Sequence, residues 1–148
     1  RLKGHAYLLD EAIGKWESPE LLENSLQFYR KHNQPERPIR RFTIEAKAAG
    51  IGLAQQMRRL GIPVEEIERS KDKVTRVQEV LPYIETGMVH IPQDGLTTWL
   101  PEFLTELASF KADGTSAHDD QVDAMADGIW LSLGRALSIF DVLGGAKK

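Results

Sequence analysis

The chain contains no cysteine, which excludes a disulfide framework, a thiolate zinc site and a cysteine nucleophile together. No apolar run approaches the ~18 residues that a membrane-spanning helix requires. Aromatic residues are sparse at 7%, and Trp16, Trp99 and Trp130 are dispersed along the chain. They read as packing residues, not as a base-stacking platform. Glycine is uninformative for nucleotides: Gly50-Ile51-Gly52 lacks the third glycine of a dinucleotide-binding turn, and no Walker A sequence occurs. The N-terminal RLKGHAYLLD has neither an initiator Met nor the long apolar segment of a signal peptide. It reads as an abrupt start within a longer protein.

What remains is ordinary globular material. The 148 residues are 41% hydrophobic, enough to bury one core, and no linker or internal repeat divides them, so a single domain over 1–148 is expected. A net charge of −3 argues against a generic nucleic-acid coat protein. It does not argue against a nuclease, because an acidic metal site and local basic patches coexist without changing the total. The lack of cysteine fits a reducing cytoplasm.

Patterning gives alternating strands and helices. His5–Asp10 reads as a short strand, and Ser18-Pro19-Glu20 as a helix start with Ser18 as N-cap. Leu22, Leu26 and Tyr29 then give an amphipathic helix to about Lys31. Arg41–Glu45 alternates as a strand. Leu53, Met57 and Leu60 form a helical stripe ended by Gly61, and Val64–Ile67 is the next strand. A helix crossover between strands implies that they are parallel, hence an α/β sheet covered by helices. A third helix spans Asp72 to about Glu85, bent or shortened by Pro82 and closed by Gly87. MVHIP is extended, Thr98–Phe110 holds a fourth helix, and a fifth runs from near Asp119 through Ile129, Leu133 and Leu137.

Three constellations carry chemistry. HDDQVDAMAD (118–127) crowds four aspartates and a histidine into ten residues. On a helix, Asp119 and Asp123 share a face, as do Asp120, Asp123 and Asp127. The first of these acids complement a helix macrodipole in any protein, but Asp123 and Asp127 lie too deep to be caps. A divalent cation relieves their repulsion, and hard oxygen donors favour Mg2+ or Mn2+ over zinc. Glu45 is the second feature, at the carboxyl end of a strand, where open α/β sheets place their ligand sites; small residues follow it, leaving room for a close approach. Together these acids suggest a two-metal site that activates water and stabilises a leaving oxygen of a phosphodiester. Third, Lys71, Lys73 and Arg76 in RSKDKVTR stand at a helix start and are candidate DNA-backbone contacts. A solvated helix start capped by Asp72 explains them equally simply. Arg37, Arg40 and Arg41 form another basic cluster, which surface solubility explains equally well.

In order, FTIEAKAAGIGLAQQM, KDKVTR, YIETGMVHIP, FLTELASF and HDDQVDAM resemble the C-terminal nuclease domain of phage terminase large subunits, from about Tyr7 to about Ile129. The resemblance implies an RNase H-like α/β fold, a mixed sheet flanked by helices, here lacking the first strand or strands. It implies a Mg2+- or Mn2+-dependent endonuclease that cuts concatemeric viral DNA during packaging, with two metals in the complete domain. It gives Glu45 as a metal-binding acid, Asp119 or Asp120 as the acid at the start of the last helix, and His118 as its neighbour. Asp123 is a further ligand or supporting acid. The family's first catalytic aspartate belongs upstream of this sequence, and Asp10 aligns with a later position. The strand that carries that aspartate lies centrally in the family's sheet, so without it two sheet halves with unpaired edges are expected. Implied partners are double-stranded DNA, portal, small terminase subunit and a second copy of the chain, in the host cytoplasm and with no membrane contact. Two other readings use the same residues: another RNase H-like nuclease of resolvase or integrase type, and a non-catalytic prophage remnant serving as an interaction module.

Overall fold

The computed structural model describes residues 4–47, 49–111, 113, 115 and 120–134. Four short strands and five helices follow in the order β1 (Ala6–Tyr7), α1 (Ser18–His32), β2 (Phe42–Glu45), α2 (Ala49–Arg59), β3 (Val64–Ile67), α3 (Lys73–Glu85), β4 (Val89–His90), α4 (Leu100–Ser109) and α5 (Asp120–Ile129). Trp130–Gly134 continues α5 as a π-helical turn. The expected α/β architecture is present. Among the described residues the strands form two separate parallel pairs, β1 with β4 and β2 with β3. Two compact units result, one from the described residues of Arg1–Glu11 and Lys71–Lys148, the other from Ala12–Ser70. No helix among the described residues is long and apolar enough to cross a membrane.

In the Ala12–Ser70 unit, the β2–α2–β3 crossover is the one the sequence pattern requires. Phe42 to Glu45 pair in register with Val64 to Ile67. Helix α2 buries Leu53, Ala54 and Met57 beside Ile44 and Ile62, and Leu22, Leu26 and Tyr29 of α1 pack on that cluster. Fully burying a side chain such as Met57 stabilises the fold by roughly 1.5–3 kcal/mol. Leu60 departs from its expected place on the apolar stripe. The helix ends at Arg59, Gly61 turns the chain at φ +79, and Leu60 is left 58% exposed while Ile62 enters the core instead. Helix α1 also starts one residue earlier than its sequence suggests: Glu17 is the cap and Ser18 the first helical residue, with no side-chain cap bond. Gly50 has a steric reason. A Cβ there would lie 2.2 Å from the carbonyl oxygen of Glu45, so α2 can start this close to the strand end only with glycine.

The other unit is built on α5, whose buried Val122, Met125, Ala126 and Ile129 follow the i, i+3, i+4, i+7 spacing of a one-faced helix. Phe103 and Leu100 of α4 and Val77 and Val80 of α3 complete its core. Pro82 neither ends nor truncates α3, which runs to Glu85 before Gly87 turns at φ +70. Strand β1 is shorter than expected because β4 offers it only two paired residues. Its backbone is tied by Ala6 N–H to Met88 O (2.8 Å) and Leu8 N–H to His90 O (2.9 Å). Side chains reinforce the pair: His5 Nδ1 lies 2.8 Å from His90 Nε2, and Tyr7 stacks on His90 at 4.7 Å between ring centroids. Two of the three dispersed tryptophans pack as expected, Trp99 edge-on to Phe103 and Trp130 against the α5 core.

Candidate functional site

Glu45 ends β2, paired with Ile67 at the carboxyl edge of the two-stranded sheet. Its carboxylate is partly exposed and already draws a cation: Lys47 Nζ lies 2.7 Å from Oε1. Lys47 is drawn back by the turn, its own N–H bonding to Glu45 O at 2.9 Å. Sequence reading passed over this lysine, although a cation two residues beyond a strand-end acid is visible by eye.

Asp120 opens α5 and is exposed; His118 and Asp119 lie outside the described residues. What fixes the start of α5 is a residue that sequence reading missed. Glu106 of α4 is 8% exposed, and its Oε1 accepts hydrogen bonds from Gln121 N–H (2.7 Å) and Val122 N–H (3.0 Å). These are two of the amide donors that a helix leaves unsatisfied at its start. A carboxylate is suited to them by both hydrogen bonding and the macrodipole. The signal was present in sequence: Leu100, Phe103 and Glu106 follow at intervals of three, so a charge sits on an apolar stripe.

The two later acids of α5, Asp123 and Asp127, are neutralised from α3. Arg76 Nη2 lies 2.6 Å from Asp123 Oδ2 and Nη1 lies 3.3 Å from Asp127 Oδ2. Lys73 Nζ approaches Asp123 Oδ2 at 3.9 Å. The Arg76 side chain is only 6% exposed, whereas Lys71 and Lys73 reach solvent. Lys71 pairs with Glu79. Asp72 caps α3 by accepting from Thr75 N–H (3.0 Å) and Thr75 Oγ1–H (2.7 Å). Those bonds, the backbone one first, hold its carboxyl below the usual range. Thus Lys73, Arg76, Asp123 and Asp127 are brought together, while Glu45 belongs to the other unit.

The fit to a divalent cation is one of donor chemistry. Glu45 and Asp120 offer carboxylate oxygens suited to Mg2+ or Mn2+, and the ammonium of Lys47 on Glu45 marks that acid as open to a cation. Among the described residues, no three His, Asp or Glu side chains gather closely enough to hold an ion.

Burial and, after it, acid crowding have a measurable consequence on Glu11. Burial, then the nearby Glu106, Glu102 and Asp10, push its pKa from 4.5 to about 6. The folded state therefore binds this proton more tightly than the unfolded chain. Above pH 6 the ionised carboxyl weakens the fold, and the penalty fades as the pH falls to 4.5. Glu11→Gln is expected to raise stability at neutral pH by roughly 0.5–1 kcal/mol after solvent screening. Urea unfolding followed across pH checks it: the gain should vanish below pH 4.5, and a gain that persists there means another cause.

No curated protein and no solved structure matches the chain significantly. The family model described as the terminase RNaseH-like domain matches residues 4–130, a span that takes in both parallel strand pairs, Glu45 and the acids of α5. The chain belongs to the terminase RNaseH-like domain family.

Proposed function

We propose that this chain is a nuclease domain of a terminase large subunit, cutting double-stranded viral DNA during genome packaging with Mg2+ or Mn2+. The observation that carries the reading is the family match over 4–130, supported by the strand-end position of Glu45. In this reading Glu45 and Asp120 are metal-binding acids, with Asp119 and His118 adjoining Asp120 in sequence. A bound divalent ion supplies an activated water and charge neutralisation at the leaving oxygen. Asp123, ion-paired with Arg76, supports the geometry of α5. Lys71 and Lys73 meet the DNA backbone, and Arg76, buried against α5, positions that helix. Portal, small terminase subunit and further copies of the chain are the partners that such a role requires, in the host cytoplasm.

The test is Mn2+ titration of the 15N-labelled chain alongside cleavage of a linear duplex. Paramagnetic broadening is expected at Glu45 and Asp120. Nicking in Mn2+ should disappear with EDTA, in Glu45→Gln and in Asp120→Asn. Cleavage that survives both substitutions would remove these two acids from the mechanism. A second reading is a non-catalytic interaction module. Absence of both broadening and cleavage would select it.

A further inference from the structure

The parallel register of β2 and β3 gives the Ala12–Ser70 unit two distinct ends. Glu45 and Ile67 mark one, Phe42 and Val64 the other. Helix α2 runs back between the strands, so Arg58 and Arg59 in its last turn arrive at the Phe42 end. Helix α1 arrives there too, because the Tyr29 ring packs edge-on to Phe42 at 6.0 Å, bringing Arg30 with it. The connection from α1 to β2 adds Arg37, Arg40 and Arg41. That loop is ordered by Ile39 N–H bonding to Asn33 Oδ1 at 2.9 Å and by Gln34 pairing with Arg37.

With Lys31, seven exposed cations meet three carboxylates, Glu36, Glu65 and Glu66, at this end. The local surplus of four positive charges belongs to a chain whose formal total is −3. Two local causes account for part of it. Last-turn cations offset the carbonyl ends of α1 and α2, and Glu65 and Glu66 engage Arg41 and Arg58. Neither cause covers Arg37 and Arg40, which lie outside both helices and form no ion pair among the described residues. Six of the seven cations are arginines, whose planar fork matches phosphate oxygens in pairs. A protein partner would need an apolar centre, and among the described residues the one exposed large hydrophobic at this end is Leu60, with the prolines Pro35, Pro38 and Pro63 beside it.

We propose that this arginine-rich end, opposite Glu45, is a second and sequence-independent contact for the phosphate backbone of duplex DNA. It holds the duplex at the end of this unit away from Glu45 and works without metal. The proposal rests on the reading of the chain as a DNA-acting domain. Its test is a triple variant, Arg37→Gln, Arg40→Gln and Arg59→Gln, whose sites are exposed, with an unchanged melting temperature as the folding control. Binding of a fluorescent duplex a few helical turns long is followed by anisotropy over a salt series in EDTA. Affinity at low salt should fall at least about tenfold, equally for unrelated sequences, and the log–log salt slope should drop by about 2–3. If the parent binds with a salt slope that the triple variant keeps, this face is not a DNA contact while the nuclease reading stands. If the parent shows no salt-dependent duplex binding, both fail.

Discussion

Replacing Arg76 with alanine is expected to destabilise the protein by about 3–5 kcal/mol, more than any exposed charge in the chain. Arginine is rarely buried, yet Arg76 is 5% exposed and lies on α3 beside the core residues Val77 and Val80. Its guanidinium bonds Asp123 and Asp127, whose side chains are themselves only 19% and 17% exposed. Without it, two largely desolvated carboxylates one turn apart on α5 would lose the guanidinium that both of them share, and Lys73 at 3.9 Å reaches Asp123 more weakly. Urea unfolding followed by circular dichroism should show an early midpoint that added salt hardly changes, because buried pairs are weakly screened. If Arg76 instead served as a phosphate contact, the variant would keep its stability and lose DNA affinity. A loss below about 1 kcal/mol, the scale of an exposed pair such as Arg41–Glu65, would sink the buried-clamp account.

Arg76 also shows where sequence reasoning reaches its limit. In RSKDKVTR it stands among cations at a helix start, the composition of a phosphate contact. Only the buried positions Val77 and Val80 show which side of α3 faces the core, and the carboxylates that fill its fork are 47 and 51 residues away. Periodicity reports a face; it does not report what waits on the other side. The same limit hid Glu106, whose partners on α5 lie 15 and 16 residues on. Short-range features were legible. The β2–α2–β3 crossover follows from alternation, stripe and a terminating glycine, and α5 follows from its apolar spacing. Glu45 was legible because a strand end is a local property. Its small followers were read as room for a ligand, and in the fold Gly50 also meets a steric demand, the approach of α2 to the Glu45 carbonyl. The exposed Leu60 and the one-residue shift at Ser18 are end effects, where a single turn decides which way a side chain points.

Glu106 should give the second large effect. Glu106→Ala removes an acceptor that serves two helix-start amides in a site closed to water, so a loss of about 2–3 kcal/mol is expected. Glu106→Gln keeps an oxygen of nearly the same reach but no charge to meet the helix dipole, so about 1 kcal/mol is expected. Hydrogen exchange locates the effect: the amides of Gln121 and Val122 should exchange much faster in the alanine variant and moderately faster in the glutamine variant. Unchanged exchange at both amides would mean that Glu106 does not hold this helix start. A second readout comes from Glu11, whose raised pKa owes most to burial and next most to Glu106. Either substitution should therefore lower the Glu11 carboxyl titration from about 6 toward, without reaching, 4.5. A structural cap and an acid whose pKa is raised to about 6 are thus linked through one buried carboxylate. Asp120 begins the helix that this carboxylate holds, so under the proposed function, in which Asp120 holds the ion, loosening it should weaken Mn2+ binding in proportion to the exchange at Gln121. Equal weakening in the glutamine and alanine variants would point to lost charge, not lost position, as the cause.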